Sequence, residues 1–121
     1  MHKADHAVGF LWNYIQTQIP EMSGKTIMTF APECGRNLKH NPIQDENDWY
    51  GYDHGDANSL RVFGGMVGQN VPSNLMIGSE SNSVGRVTDM ALTIADILGF
   101  KSDVQAAGLI DPMSLSLFDR I

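Results

Sequence analysis

The residues best suited to chemistry fall in two short runs of one polar stretch. The first is Pro32-Glu33-Cys34-Gly35-Arg36-Asn37. Glu33 offers a hard oxygen ligand, Cys34 a thiolate, and Arg36 a planar fork that matches a tetrahedral anion. Gly35 permits a sharp turn among them. The same run also reads as a plain strand-end turn, with a solvated Glu and Arg around a small buried Cys. The second run is Tyr52-Asp53-His54-Gly55-Asp56. A loop can aim adjacent Asp and His side chains into one cavity. Both ligate divalent metals, and a carboxylate can fix the tautomer of a neighbouring His. The plain reading of this run is a polar turn closed by local Asp–backbone bonds.

Other candidates carry less. His40, in Lys39-His40-Asn41-Pro42, reads as a solvated loop histidine that could orient a group at the site. His2 and His6 stand four apart and so share one helix face, but no third ligand accompanies them. Cys34 as a nucleophile would need His54 or His40 as base, and no local signature supports that chemistry. Gly64-Gly65-Met66-Val67-Gly68 is glycine-rich, yet no Gly-Lys-Ser/Thr follows, so it is not a phosphate-binding loop. The seven methionines read as core fillers.

The elements that must position these residues follow from periodicity. Ala4, Val8, Leu11 and Ile15 make one stripe, widened by Trp12, and predict a helix over about residues 4 to 18, stopped by Pro20. Thr26 to Ala31 is β-branched and apolar and follows Ser23-Gly24, which predicts a buried strand. A second strand is expected at Leu60-Arg61-Val62-Phe63, with residues 65 to 86 a further irregular excursion. The long stretch between the strands, anchored by Trp49 and Tyr50, reads as an ordered functional loop. Thr88 is placed as the N-cap of a helix over about 89 to 98, with Asp89 in its first turn and Val87 stapled to Leu92. Ala91, Leu92, Ala95 and Leu98 form its inner face and Gly99 its terminating glycine. The tail from Asp111-Pro112 to Ile121 reads as a last strand or an extended segment. Helix alternating with strand predicts an α/β fold, a small parallel or mixed sheet flanked by helices. In such sheets ligands bind at the carboxyl ends of strands, where the Glu33 run begins.

Composition bounds the rest. The 121 residues, 42% hydrophobic and 18% charged, predict one globular domain over residues 1–121. A net charge of −6 with no Lys/Arg cluster argues against nucleic-acid partners and anionic membranes. Cys34 is the only cysteine, so no internal disulfide forms. No run reaches the roughly 18 apolar residues of a membrane span, and Met1-His2-Lys3-Ala4-Asp5 lacks the apolar core of a signal peptide. The compartment stays open: periplasmic or extracellular if a signal lies upstream, otherwise cytoplasmic.

These pieces resemble the last third of the alkaline phosphatase and sulfatase superfamily. Residues Ala4-Asp5-His6-Ala7-Val8-Gly9-Phe10-Leu11 look like its D-x-x-V-G-x-L-L helix, and Thr26 to Phe30 like the strand after it. Pro32-Glu33-Cys34-Gly35-Arg36 is similar to the S-E-F-G-R motif of an uncharacterised bacterial branch, and Asp53-His54-Gly55 with Leu60 to Gly65 to that branch's D-H-G, strand and Gly-Gly. Val87 to Gly99 resembles the T-D-x-x-P-T-I-x-x-L-L-G helix, with Leu92 in place of the usual Pro.

The resemblance implies the C-terminal part of an alkaline-phosphatase-like fold. Glu33 would take an acidic ligand position and His54 a late histidine position, with Asp53 beside it and Arg36 touching an anion. Cys34 stands where phosphatases commonly have His and this branch Phe, a departure at the metal site. The implied cofactor is a divalent metal: zinc, calcium or manganese. The implied chemistry is hydrolysis of a phosphate or sulfate ester. The family's Ser/Thr nucleophile and its D-x-x-x-H ligand pair would precede Met1. The expectation is therefore a segment inactive in isolation, with a homo-oligomer or a partner chain supplying the missing half. The alternative is a non-catalytic interaction or structural domain that kept the fold and lost the metal.

Overall fold

The computed structural model describes residues 2–121, with the side chain of His2 outside the description. It is a small α/β protein with helices α1 (His2–Gln18), α2 (Asp89–Leu98) and α3 (Lys101–Ala106), strands β1 (Ile27–Phe30) and β2 (Gly65–Gly68), and 3-10 turns at Ala57–Leu60 and Leu117–Arg120. It divides into two compact units. One runs to Phe30 and includes Gly65–Asn74; the other comprises Ala31–Gly64 and Leu75–Ile121.

In the first unit, α1 has Ile15 buried and Val8, Trp12 and Gln16 half-buried, with Ile19 half-buried just past its end; Ala4 and Leu11, expected on the same stripe, are exposed. The stripe is therefore rotated toward Trp12, the largest apolar side chain available to it. The side chain of Gln16 ties the end of the helix to the following turn, accepting from Gly24 N–H at 3.2 Å and Ser23 Oγ at 3.4 Å. Strand β1 then pairs with β2 antiparallel, Ile27 opposite Gly68 and Phe30 opposite Gly65.

This corrects the expected parallel or mixed sheet: the sheet is two-stranded and antiparallel. The expected strand at residues 60–63 is absent as well. Asp56 caps a 3-10 turn at Ala57–Leu60, its carboxylate accepting from Ser59 N–H at 3.0 Å, and the chain is irregular from Arg61 to Gly64. The true partner of β1 is Gly65-Met66-Val67-Gly68, read from sequence as loop because glycine is depleted in strands. Both glycines face a close neighbour, an exposed and movable ring at Gly65 and fixed backbone at Gly68. A Cβ on Gly65 would overlap the Phe30 ring, and one on Gly68, at φ +137°, would overlap the carbonyl of Thr26.

In the second unit, Leu92, Ala95 and Ile97 form the apolar core, with Asp89 and Thr93 buried on the same helix. Helix α2 runs over the expected residues but starts differently. The side chain of Thr88 makes no capping bond. Instead the Asp89 carboxylate reaches back to Arg86 N–H at 2.8 Å, the returning half of a capping box. Val87 is exposed and staples nothing, and Leu98 and Ala91 of the expected inner face are exposed too. Gly99, at φ +83°, ends the helix as expected. Phe100 N–H reaches Ala95 O at 2.9 Å and Gly99 N–H reaches Asp96 O at 3.1 Å, a Schellman termination. The tail is neither a strand nor simply extended, because it closes in the Leu117–Arg120 turn. Met22, Met76 and Met113 are exposed, so methionine is not a general core filler here.

Candidate functional site

The two chemically capable runs lie on facing limbs of one irregular hairpin, residues 31–64. Gly35 N–H donates to Ser59 O and Asn37 N–H to Asp53 O, each at 2.7 Å; nearer the tip Asn41 N–H donates to Gly51 O at 2.9 Å, and Gln44 bridges to Tyr50. Asn37 is the central tie. Its Oδ1 accepts from Gly55 N–H at 2.7 Å and from Asp56 N–H at 2.9 Å, so one side chain fastens the Glu33 run to the Asp53 run. Asn58 returns the bond, donating to Arg36 O at 2.8 Å. Gly35 is needed at this crossing, because a Cβ there would lie 2.6 Å from the carbonyl oxygen of Arg61.

The carboxylates that organise this hairpin are not those named as metal ligands. The Leu38 N–H, followed by those of Ser59 and Asn58, holds the Asp56 carboxyl below its usual range against a smaller desolvation. The N–H groups of Trp49 and then Asn47 do the same for Asp45 at the tip. Asx-type bonding of this kind is visible in the Asp56-x-x-Ser59 spacing, but neither Asn37 nor Asp45 was singled out from sequence.

Of the expected ligands, Glu33, Asp53 and His54 are exposed and Cys34 is half-buried. Asp53 Oδ1 accepts from Asn41 Nδ2 at 3.4 Å. Arg36 is exposed. The backbone sets Gly35 and Arg36 opposite Asn58 to Arg61, and only Asn37, at the end of the first run, faces Asp53 to Asp56. Among the described residues no three His, Cys, Asp or Glu side chains gather to hold a metal ion. Catalytic zinc takes about three protein ligands, so these residues do not by themselves fit a catalytic metal. His40 lies tilted against Tyr50, ring centroids 4.1 Å apart, and its Nδ1–H donates to Asn41 O rather than joining His54. His6 is exposed on α1, and the side chain of His2 lies outside the described residues.

A second polar constellation, which sequence reasoning treated only as a helix start, is the more fully built. The Asp89 carboxylate is completely buried. It takes a two-pronged guanidinium from Arg120, Nε to Oδ2 at 2.7 Å and Nη2 to Oδ1 at 3.0 Å, and also accepts Leu115 N–H at 3.1 Å. Burial opposes its charge most strongly, but Arg120 and then the Arg86 and Leu115 N–H groups outweigh it, and the carboxyl stays below its ordinary range. Thr93 Oγ1 accepts Leu117 N–H at 2.8 Å. Lys101 bridges Asp96 at 3.0 Å and Asp119 at 2.9 Å. One polar face of α2 therefore fastens the tail. This is a structural clamp, since every group in it is consumed by another.

Comparison with known protein families, with curated proteins and with solved structures finds no match to this chain. No helix among the described residues is long and apolar enough to cross a membrane.

Proposed function

We propose that the chain is the C-terminal segment of a metal-dependent phosphate- or sulfate-ester hydrolase, similar to the alkaline phosphatase and sulfatase superfamily. The observation that carries this reading is that the Glu33-Cys34-Gly35-Arg36 and Asp53-His54-Gly55 runs stand on the two limbs of one hairpin, joined through Asn37 at the end of the first. In this reading Glu33 and His54 are metal ligands, with Asp53 and Cys34 adjoining, and Arg36 contacts the anionic ester. The metal, zinc, manganese or calcium, would polarise the ester and stabilise charge on the transferred group. The remaining ligands and the nucleophile would come from a further segment or partner chain.

The exposed apolar surface supports that completion. Leu60, Phe63 and Leu38 are among the side chains left in water. A second reading, a non-catalytic interaction or structural domain, is favoured by the lack of a three-ligand group among the described residues.

Calorimetric titration of the chain with zinc, manganese and calcium separates the two. The hydrolase reading expects weak binding that Glu33→Ala and His54→Ala each remove, with no turnover of aryl phosphates or sulfates by the isolated chain. Binding indifferent to both substitutions, or none at all, supports the non-catalytic reading. Turnover lost in either variant would show that the chain carries a complete site.

A further inference from the structure

The tip of the hairpin is organised for a purpose that the Glu33 and His54 limbs do not need. From Ile43 to Asp56 the chain carries Asp45, Glu46, Asp48, Asp53 and Asp56, no Lys or Arg, and the aromatics Trp49, Tyr50 and Tyr52. The tip is fixed rather than loose: Asp45 Oδ1 accepts Asn47 N–H at 2.8 Å and Trp49 N–H at 3.0 Å, and Asp45 N–H donates to Trp49 O at 2.9 Å. That turn holds Trp49 out in solvent, 74% exposed. Tyr50 and Tyr52 stand beside it about half exposed, the His40 ring 4.1 Å from Tyr50 and edge-on to Tyr52 at 6.1 Å. Asp45 and Asp56 spend their carboxylates on backbone N–H groups, whereas those of Glu46 and Asp48 accept no hydrogen bond from the described residues.

An exposed aromatic platform ringed by unspent carboxylates selects its partner by charge. Anionic lipid and nucleic acid are repelled, and a second copy carries the same −6. Arginine and lysine are attracted twice, by the carboxylates and by the aromatic faces. We propose that the hairpin tip is a docking site for a basic polypeptide segment, whose Arg or Lys side chains lie over Trp49 and the tyrosines and pair with Glu46 and Asp48. This proposal goes beyond the hydrolase reading and stands whether or not that reading holds.

The test uses the full chain and a fluorescein-labelled nona-arginine peptide, with a Gly/Ser peptide of equal length as control, followed by anisotropy. The arginine peptide binds and the control does not, and affinity falls as NaCl rises. Trp49→Ala weakens binding about five-fold, the scale of one exposed cation–π contact, while Trp49→Phe, which keeps an aromatic face, retains most of it. The double substitution Glu46→Gln, Asp48→Asn weakens binding at least as much. It preserves shape, and Asn suits the left-handed backbone at position 48, φ +61°. Asp5→Asn and Asp103→Asn, exposed carboxylates on α1 and α3, leave affinity unchanged. Circular dichroism of each variant confirms an unaltered fold. Equal losses for all charge variants would reduce the effect to general acidity and overturn the proposal. So would indifference to Trp49→Ala in a folded variant, or a neutral hexasaccharide binding in place of the peptide with the same dependence on Trp49.

Discussion

Removing the Asp89 carboxylate tests whether α2 holds the tail by hydrogen bonding rather than by apolar packing. Asp89→Ala strips the acceptor from Arg86 N–H, Leu115 N–H and both prongs of Arg120. A buried donor left without a partner costs about 1–3 kcal/mol. Two backbone donors are orphaned, while the Arg120 side chain keeps some access to water and can resolvate. The expected loss is about 3 kcal/mol, within the range for breaking a buried ion pair from one side, and a large part of a small domain's stability. Asp89→Asn keeps the shape and one acceptor and should cost less, about 2 kcal/mol. Thr88→Ala is the control. A working Thr N-cap is worth about 1 kcal/mol, but the Thr88 side chain makes no capping bond, so its removal should change stability by less than about 0.5 kcal/mol. The assay is urea unfolding followed by circular dichroism, at neutral pH and then in steps down to about pH 3. The carboxyl of Asp89 is held below its ordinary value of 3.8. Its stabilisation is therefore full above that value and lost as pH falls through the lowered one. The unsubstituted chain should lose stability more steeply there than Asp89→Asn, and the two curves should converge in acid. An Asp89→Ala loss below about 1 kcal/mol, or equal to that of Thr88→Ala, would refute the reasoning.

Gly68→Ala should abolish the β1–β2 pairing, seen as lost amide protection in Ile27–Phe30, because its Cβ has no room at φ +137°. Gly24→Ala, at φ +68° but in open space, should cost only about 1 kcal/mol. Asn37→Ala should free the Gly55 and Asp56 N–H groups, lower stability by about 1–2 kcal/mol and speed proteolysis within residues 45–56, while Asn37→Asp keeps the acceptor and should restore most of the protection. Lys101→Met should loosen the Leu117–Arg120 turn at low ionic strength and matter little in about 1 M NaCl, since its two bridges are partly exposed and screened by salt; comparing urea midpoints at the two salt concentrations checks this.

Those elements whose signals were local were legible in the sequence. Both long helices were placed from periodicity and stop residues, and Gly99 was recognised as the terminator of α2 because a left-handed residue after an apolar face has few substitutes. Strand β1 followed from its β-branched content, but the expectation that it is buried did not hold: Ile27 and Met28 are half-buried and Thr29 and Phe30 exposed. Its partner did not follow, because pairing is a long-range matter: Gly65 and Gly68 are there to admit the Phe30 ring and the Thr26 carbonyl, contacts that no local propensity encodes. The error at residues 60–63 has the same root, with Asp56 and Ser59 building a turn where apolar content suggested a strand. In the site, the Glu33 and Asp53 runs were picked out by residue type, yet the residue that joins them, Asn37, carries no chemistry that would attract notice. Asp89 was noticed for its place at a helix start, while its partner Arg120 lies 31 positions away.

The ladder between Phe30 and Gly65 closes off the whole hairpin between two paired residues. Chain entropy makes such an excursion insensitive to its own length, since doubling a loop costs only about 0.6 kcal/mol. The tip, about residues 43 to 50, can thus be lengthened or trimmed while the register of β1 against β2 is kept. For protein engineering that tip is an insertion point carried between fixed ends. For evolution it is a place where insertions are cheap, so that new recognition can be tried at the tip without disturbing the strands that deliver it.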